Sequence, residues 1–469
     1  MEAESVAERV TRVWAEAALP AITDFIRIPN LSPGFDPEWA EHGHMARAVE
    51  LVSAWIKARP VAGMQVSVEQ LEGRSPVIVA EIDGTAAGTV VLYGHLDKQP
   101  EMVGWRDGLG PWDPVLEGDR LYGRGAADDG YAAFAALTAI EAVQSAGGEH
   151  ARLVVIIEAS EESGSPDLPA YIDALADRIG RPDLVVCLDS GCPTWDRLWL
   201  TTSLRGLVGL TLTVRVLTEG VHSGAAGGVV PSTFRILRRL LSRVEEEATG
   251  EILVPELHVP MPIDREKELT ETANELGADF SERFPFVDGA TAVDADAIAQ
   301  VAAKTWQPAM ELIGMAGVPT PADGGNVLRP YTTAKLSFRL PPMCDPDVAR
   351  DALVRVLTAD PPYGASIEVE ANDLAEGWNA PPTAPWLAAA LDEASMAAFG
   401  EPARTVGEGG TIPFMAMLGE RFPDAQFVIT GVLGPDTNAH GPNEFLHLPT
   451  ARRVTIAIAH LLNAHAAVR

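Results

Sequence analysis

The sequence predicts an α/β fold that is interrupted by an inserted α+β domain. The first observation is a series of short, wholly aliphatic segments, which are typical of strands covered on both faces of a largely parallel sheet. The second is a change near residues 202–206 to alternating apolar and polar residues, which indicates strands with one solvated face. The third is a return to the first pattern near residues 381–385. A chain of 469 residues has room for two or three domains.

Composition argues against several classes of function. A formal net charge of −31 disfavours a nucleic-acid partner, because phosphate backbones are bound by clustered Lys and Arg. The chain has no run of about 18 uncharged apolar residues, so we expect no membrane span. Four glutamates within the first sixteen residues do not fit a signal peptide. Together with only three widely spaced cysteines, Cys187, Cys192 and Cys344, this pattern predicts a cytoplasmic protein.

The first hundred residues are predicted to form two helices followed by three strands. Apolar residues recur with a spacing near 3.6 over residues 6–28 and 44–59, as in amphipathic helices. Three short runs bounded by glycines follow, at residues 66–68, 77–82 and 89–93, and these predict strands.

The third strand leads directly into Gly94-His95-Leu96-Asp97. Open α/β sheets place their chemistry at the carboxyl ends of the strands, so His95 is a candidate metal ligand and Asp97 its partner. The ordinary alternative is a core histidine that Asp97 holds in place. Which of the two applies depends on whether further ligands follow at other strand ends.

Further carboxylates do follow. The aliphatic strand at residues 153–157 precedes Glu161-Glu162, and the strand at residues 184–188 ends in Asp189. A solvated surface would be the usual explanation for Glu161-Glu162, but such a pair does not usually follow a strand of five aliphatic residues. Carboxylates at several strand ends predict one shared site.

Asp128 and Asp129 precede an alanine-rich helix predicted at residues 131–146. Capping of that helix is the ordinary use of such aspartates, since Asp favours the N-cap position and complements the helix dipole. The neighbouring carboxylates at the strand ends make Asp128 a candidate ligand as well.

The inserted region has the alternation of an antiparallel sheet. Residues 207–216 alternate most regularly, and the stretch 252–305 is predicted to consist of loops and short helices. The other predicted elements are a helix at 232–247, strands at 334–340 and 366–370, and a helix at 347–359.

The carboxy-terminal part resumes the α/β pattern. Residues 386–399 and 449–464 are predicted helices, and residues 426–431 are a predicted buried strand. The loop between that strand and the last helix carries His440. His440 is therefore another candidate ligand at a strand end.

The candidate ligands outnumber those of a single catalytic metal. One catalytic zinc takes three protein ligands and keeps an open position, so five ligands suit two metals that share a carboxylate, activate a bridging water and polarise a carbonyl. Asp128, on a loop of its own, is the natural bridge. Asp97 would orient His95, and Glu161 would be the general base in metal-assisted hydrolysis of an amide. The five predicted ligands are His95, Asp128, Glu162, Asp189 and His440.

Four blocks of the sequence resemble the signature motifs of the co-catalytic zinc peptidases. That family includes carnosinase-type dipeptidases, carboxypeptidase G, aminoacylase, acetylornithine deacetylase and succinyl-diaminopimelate desuccinylase. The order and spacing of the blocks cover nearly the whole chain, and the length and the Glu-Glu-Ser-Gly-Ser block are most similar to the carnosinase-type dipeptidases. The blocks are residues 94–100, 122–129, 161–165 and 438–444.

The resemblance implies a ligand assignment. His95 and Asp189 would hold one metal, Glu162 and His440 would hold the other, and Asp128 would bridge them. Two divalent ions are implied, with zinc favoured, although manganese and cobalt also suit nitrogen and oxygen ligands.

The resemblance also implies the architecture. A discontinuous catalytic domain, with a mixed sheet flanked by helices, would comprise residues 1–204 and 379–469. An α+β lid domain at residues 205–378 would form a homodimer. The family also has a cis peptide bond after the bridging aspartate, here between Asp128 and Asp129.

Substrate contacts are implied in the inserted domain. His222, in Val221-His222-Ser223-Gly224, would reach the partner's active site and stabilise the oxyanion, although a histidine in a glycine-rich turn is more often ordinary surface. Arg339 would receive the substrate carboxylate as a planar bidentate donor, and Asn326 would be a polar lid contact. The implied substrate-binding loop contains Glu408, Gly409, Gly410 and Thr411.

The predicted activity is hydrolysis of dipeptides or short peptides that have a free carboxyl end. The alternatives are deacylation of N-acyl amino acids on the same scaffold and a non-catalytic metal-binding protein. Gly130 and Tyr131 depart from the family pattern, in which Asp-Asn-Lys-Gly usually follows the bridge. Tyr131 is therefore expected to alter the shape of the pocket.

Overall fold

The computed structural model describes residues 5–277, 279–282 and 284–468. The chain divides into two compact units, of which the first comprises Met1–Thr202, Ala380–Val406 and Met417–Arg469 and the second comprises Ser203–Asn379 and Gly407–Ala416. The predicted catalytic and lid domains, with their limits, stay predictions. Glu2 and Glu4, two of the glutamates that argue against a signal peptide, lie outside the described residues.

The amino-terminal helices form where the apolar spacing predicts them. The region 6–28 is interrupted by a π-helical turn at Trp14–Ala18, which buries Trp14. Ser5 caps the first helix by accepting from the backbone N–H of Glu8, whose side chain in turn accepts from Ser5. The helices are α1 (Val6–Val13), α2 (Leu19–Ile26), α3 (Trp39–His42) and α4 (His44–Lys57).

The first part of the chain then supplies most of the central sheet. Its strands are β1 (Met64–Glu69), β2 (Val77–Ile82), β3 (Thr89–His95), β4 (Val115–Glu117), β5 (Arg120–Tyr122), β6 (Arg152–Glu158), β7 (Leu184–Cys187) and β8 (Trp199–Leu204). Its helices are α5 (Ala132–Ser145), α6 (Leu168–Ala174) and α7 (Ala176–Ile179).

The inserted stretch contains both strands and helices. Its strands are β9 (Gly206–Arg215), β10 (Val221–His222), β11 (Ala309–Ala316), β12 (Val327–Leu328), β13 (Tyr331–Leu340), β14 (Ser366–Ala375) and β15 (Trp378–Asn379). Its helices are α8 (Ser223–Ala226), α9 (Thr233–Leu241), α10 (Ile263–Leu276), α11 (Asp279–Glu282), α12 (Ala297–Thr305) and α13 (Pro346–Thr358).

The remaining elements follow in the last ninety residues. They are α14 (Pro385–Phe399), β16 (Arg404–Glu408), α15 (Pro413–Arg421), β17 (Gln426–Ile429), β18 (Phe445–His447) and α16 (Leu448–Ala467).

A six-stranded mixed sheet forms the centre of the first unit, in the order β1-β2-β6-β3-β7-β17. Strands β6, β3, β7 and β17 run parallel to one another, whereas β2 runs antiparallel to both of its neighbours, β1 and β6. Val90 and Leu92 of β3 belong to the main core cluster, and Val91 and Tyr93 on the opposite face are buried as well. The aliphatic runs thus form strands covered on both faces, which confirms the predicted α/β class.

The second unit contains a four-stranded antiparallel sheet in the order β11-β13-β9-β14. In β13 the buried residues Ala334, Leu336 and Phe338 alternate with the more exposed Lys335 and Ser337. The buried face packs against α9 and α13 in a separate core cluster. The alternation in the sequence therefore follows from burial of a single face.

Two parts of the sequence prediction need correction. The helix predicted at 232–247 ends at Leu241, because the chain turns so that Val244 is buried in the core and Glu245 pairs with Ile252. Strand β11 was not predicted, because its half-exposed residues at the edge of the sheet lack a regular alternation. No helix in the described ranges is both long and apolar enough to cross a bilayer.

Candidate active site

The carboxyl ends of two neighbouring strands bring predicted ligands together. His95 is the last residue of β3, and Asp189 follows β7 by two residues. These strands pair in parallel, with Tyr93 opposite Cys187, so both ligands emerge at the same edge of the sheet. Nε2 of His95 lies 3.7 Å from Oδ2 of Asp189.

Asp128 lies between two groups of ligands. Its Oδ1 is 3.4 Å from Nε2 of His95, and its Oδ2 is 2.9 Å from Nε2 of His440. Glu162 completes the second group, because its Oε2 is 3.2 Å from the same nitrogen of His440. The first ligand group is His95, Asp128 and Asp189, and the second is Asp128, Glu162 and His440; within each, the ligand atoms lie within 4.8 Å of one another.

Strand pairing explains how His440 reaches Asp128. The loop with His440 leads into β18, which pairs with β5, the strand before Asp128; Phe445 lies opposite Tyr122. The peptide bond between Asp128 and Asp129 is cis, which confirms the prediction.

Asp97 has contacts on two sides. Nδ1 of His95 lies 3.2 Å from the backbone oxygen of Asp97 and 3.4 Å from its Oδ1. The two carboxylate oxygens of Asp97 also accept the backbone N–H groups of Glu161 (3.1 Å) and Glu162 (3.0 Å). Asp97 therefore fixes the start of the Glu161–Ser163 turn as well as facing the imidazole.

Glu161 projects toward the first ligand group from that turn. Its Oε2 lies 3.8 Å from Nε2 of His95. Its side chain is 12% exposed, so the carboxylate borders the buried ligands while solvent still reaches it. This position allows Glu161 to exchange a proton with a molecule bound beside the ligands.

Asp128 and the two imidazoles favour each other's charged form: the pKa of Asp128 is lowered, and those of His440 and His95 are raised. Burial opposes ionisation of Asp128, but the neighbouring imidazoles of His440 and His95 lower its pKa overall. Burial likewise opposes a charge on His440, but Asp128 and Glu162 raise its pKa to about 11. The pKa of His95 is also raised despite burial, chiefly by Asp128 and Asp97.

The other carboxylates are shifted in the opposite direction. Burial, reinforced by the charge of Asp189, raises the pKa of Glu161 well above its usual range. Burial and the charge of Asp128 raise the pKa values of Glu162 and Asp189 to about 7. Buried charges are costly unless they are paired or coordinate metals. This concentration of carboxylates therefore favours the binding of cations.

The geometry of the site fits divalent metal ions. Nε2 of His95 is buried without a hydrogen-bond partner among the described residues, as expected of a nitrogen kept for a metal. Ligands about 2.1 Å from a tetrahedral zinc lie roughly 3.4 Å apart, close to the distances between ligand atoms seen here. A set of imidazoles and carboxylates suits zinc, and also manganese or cobalt.

The structure places His222 and Asn326 beside each other in the second unit. His222 ends β10 and pairs with Val327 of β12, and the backbone N–H of Ser223 donates to the backbone oxygen of Asn326 at 2.8 Å. Both His222 and Asn326 are exposed. They are thus available to a ligand or to another chain.

Arg339 and Thr411 also meet within the second unit. Nη1 of Arg339 donates to Oγ1 of Thr411 at 3.0 Å, and within the described residues Arg339 has no salt-bridge partner. Glu408 pairs with Lys304 at 3.2 Å.

Sequence reasoning overlooked Arg205, which holds the predicted substrate-binding loop. Its Nε donates to the backbone oxygen of Gly409, and its backbone N–H donates to that of Gly410. Burial, together with the charge of Arg339, lowers the pKa of Arg205 to about 10. Two guanidinium groups therefore lie close together beside this loop.

One residue beside the metal ligands, Gln99, was also missed, and the prediction for another, Tyr131, needs correction. Nε2 of Gln99 donates to Oε2 of Glu162 at 2.6 Å, and its place in the motif at 94–100 was the available signal. Tyr131 differs from expectation: it is fully buried, and its hydroxyl donates to the backbone oxygen of Leu188, next to Asp189. Tyr131 therefore supports a ligand and does not line an open pocket.

Comparison with known proteins identifies the family. The model of peptidase family M20/M25/M40 matches residues 91–464. The chain belongs to this family. The match includes both ligand groups, the whole of the second unit and most of the first unit of this M20 peptidase.

Similar proteins support the same conclusion. The chain is 29% identical over 448 residues to the cysteinylglycine-S-conjugate dipeptidase of Corynebacterium striatum, covering 93% of each sequence. It is 26% identical over 409 residues to the human Beta-Ala-His dipeptidase, covering 82% of this chain and 77% of that one. These relatives confirm the predicted resemblance to carnosinase-type dipeptidases.

A solved structure shows the same fold. The dipeptidase Dug1p from Saccharomyces cerevisiae matches with a TM-score of 0.79 at 20% identity, covering 100% of this chain and 99% of that chain. At this identity the likeness concerns the fold alone.

Proposed function

We propose that this M20 enzyme is a two-metal dipeptidase that hydrolyses the amide bond of dipeptides or short peptides with a free carboxyl end. The observation that carries the proposal is the placement of Asp128, whose two oxygens face the two ligand groups separately. Such a carboxylate would hold two cations close enough to act together on one substrate. The named activities of the relatives, both dipeptidases, favour peptides as substrates.

The ligand groups would each hold one divalent cation. His95 and Asp189 would hold the first and Glu162 and His440 the second, with Asp128 between them. When bound, the two ions would lower the pKa of a water and polarise the substrate carbonyl. Zinc is the favoured metal, and manganese or cobalt would serve the same ligands.

Glu161 would move the proton. Its carboxylate would take a proton from the attacking water and deliver it to the leaving nitrogen. Asp97 holds the backbone of Glu161 at a fixed place, so the carboxylate would stay in position during both transfers.

Arg339 and His222 would act on the substrate. Arg339 would bind the terminal carboxylate, since a guanidinium without a salt-bridge partner in the described chain suits a planar bidentate anion. His222 would stabilise the oxyanion, with Asn326 as a further polar contact. Thr411 would orient Arg339, and the loop with Glu408, Gly409 and Gly410 would contact the substrate.

A substrate panel tests the function. With zinc or manganese restored after chelation, we expect purified enzyme to hydrolyse dipeptides at least about 100-fold faster than their carboxy-terminal amides. The reason is that an amide cannot make the charged bidentate contact with Arg339. Release of free amino acids, measured by chromatography, is the readout.

The panel also separates the alternatives. N-acyl amino acids hydrolysed faster than any dipeptide would favour the deacylase. Failure to hydrolyse either class with metal bound would favour the non-catalytic protein. Arg339→Lys is the control, because it keeps the positive charge but loses the two parallel N–H donors of the guanidinium. This variant should show a smaller difference in hydrolysis rate between dipeptides and their amides.

A homodimer through the second unit is also proposed. Strand β11 lies at an edge of its sheet, where exposed Leu312, Ile313 and Met315 accompany backbone groups open to pairing. An apolar edge strand of this kind is a template for another chain. A second copy of this chain is the partner that the resemblance implies.

Mixing two inactive variants tests whether His222 acts across that dimer. We expect equal amounts of His222→Ala and Glu161→Gln chains, unfolded and refolded together, to recover about one quarter of wild-type activity. Half the dimers would be mixed, and one of the two sites in each would combine an intact Glu161 with the partner's intact histidine. Heterodimers that form but stay inactive would show that His222 acts within its own chain. The separately refolded variants are the control.

A reducing, cytoplasmic compartment is part of the proposal. Cys187, Cys192 and Cys344 are buried, and none of these three cysteines forms a disulfide. A large chain with few cysteines and no disulfide among them suits such a compartment.

A further inference from the structure

A buried ion pair lies next to the second ligand group. Nη1 of Arg124 donates to Oε2 of Glu444 at 2.6 Å, and the two side chains are 1% and 0% exposed. The residues are 320 positions apart in the sequence. The proposed reaction assigns neither of them a role.

The Arg124 side chain donates to three backbone carbonyls in two other segments of the chain. Its Nε donates to the backbone oxygen of Pro100 at 3.1 Å. Its Nη2 donates to the backbone oxygens of His440 (3.1 Å) and Gly441 (2.8 Å). A guanidinium can do this because it carries five N–H donors in one rigid plane. Arg124 thus holds the backbone of a metal ligand directly.

Glu444, in turn, accepts hydrogen bonds from the backbone of the segment that carries Asp128. Its Oε1 lies 3.3 Å from the backbone nitrogens of Ala127 and Asp128, which donate to it. Through the ion pair, the backbone of Asp128 is therefore connected to the backbone of His440 by side chains that are shielded from water. Both of these ligands belong to the second ligand group.

The loop around His440 needs such support. Asn438, His440 and Asn443 all have positive φ values, of 51°, 64° and 64°. The left-handed region is unfavourable for residues with a Cβ, so contacts elsewhere must stabilise this conformation. Arg124 supplies two of those contacts, one of them at His440 itself.

We infer that the Arg124–Glu444 pair is a positioning device that sets the separation of Asp128 and His440 and thereby the metal affinity of the second ligand group. The inference rests on the proposed two-metal function. In the first ligand group, His95 and Asp189 are placed by the pairing of β3 with β7, so their cation depends much less on the ion pair.

Two variants test the inference by metal binding. Arg124→Lys keeps a charge beside Glu444 but cannot also reach the carbonyls of His440 and Gly441. Arg124→Met/Glu444→Leu removes both charges at once, which a buried site often tolerates better than the loss of one partner. The full chain, freed of metal by a chelator, is titrated with Co²⁺ and followed by visible absorption and by metal content.

Both variants are expected to weaken the binding of one Co²⁺ ion far more than that of the other. Wild-type protein binds two Co²⁺ ions, and each variant binds one of them about 10–100-fold more weakly while the affinity for the other falls by a much smaller factor. Arg9→Met, which removes a partner of buried Glu141 in the same unit, is the matched control and should bind both ions as the wild type does.

Two other sets of results would refute the positioning role or the two-metal function separately. Two ions bound with wild-type affinity in both variants, or equal weakening of both ions, would refute the positioning role. A wild-type protein that binds fewer than two ions would instead refute the proposed two-metal function. Should the lysine variant not fold, the double variant alone decides between these results.

Discussion

Glu161→Gln is expected to lower kcat by about 10²–10⁴-fold, or to abolish measurable turnover, while metal content stays near two ions per chain. Gln keeps the size of the side chain but cannot accept the proton of the attacking water. The ligand groups do not include Glu161, and its backbone N–H would still donate to Asp97. Dipeptide kinetics and metal analysis on the same sample measure both quantities.

A charge-matched control makes this prediction specific. Glu72→Gln removes one carboxylate at an exposed position of the same unit and should leave both kcat and metal content unchanged. If Glu161→Gln keeps wild-type turnover, another group is the base. If it loses metal, its role is that of a ligand.

Asp128→Ala should have a broader effect, because Asp128 belongs to both ligand groups. We expect turnover to be lost together with tight binding of both ions, with affinities lowered by at least about 100-fold. Metal analysis after gel filtration is the decisive measurement, since Glu161→Gln should retain the ions that Asp128→Ala loses.

Asp167→Asn is a suitable control for that variant. Asp167 is a largely buried aspartate of the same unit that accepts hydrogen bonds from Ser75 and Arg74 rather than facing a ligand group. Its variant should bind two ions, even if its stability falls. An Asp128→Ala protein that also retains two tightly bound ions would rule out the bridging position.

Apolar patterning accounts for the parts of the fold that the sequence predicted well. Segments such as 77–82 and 153–157 are buried on both faces, so nearly every residue in them is aliphatic and their boundaries are easy to find. Strand β13 alternates because its sheet buries one face. Edge strand β11 has no such constraint, and it was missed for that reason.

The sequence by itself determined which residues could carry the chemistry, because ligands follow buried strands and strand ends are visible in local composition. That rule was almost sufficient to predict His95 and Asp189 as neighbouring ligands, because each follows a buried strand and the two strands pair in parallel.

The tertiary structure alone decided how these residues are held. It shows one oxygen of Asp128 facing each ligand group, Asp97 binding the backbone of Glu161 and Glu162, and Arg124 contacting the loop of His440. These contacts join segments up to several hundred residues apart, and many are made to backbone atoms, which every residue type carries. Residue identity therefore indicates the chemistry of the site, whereas its geometry emerges only when the strands have paired and the loops have packed.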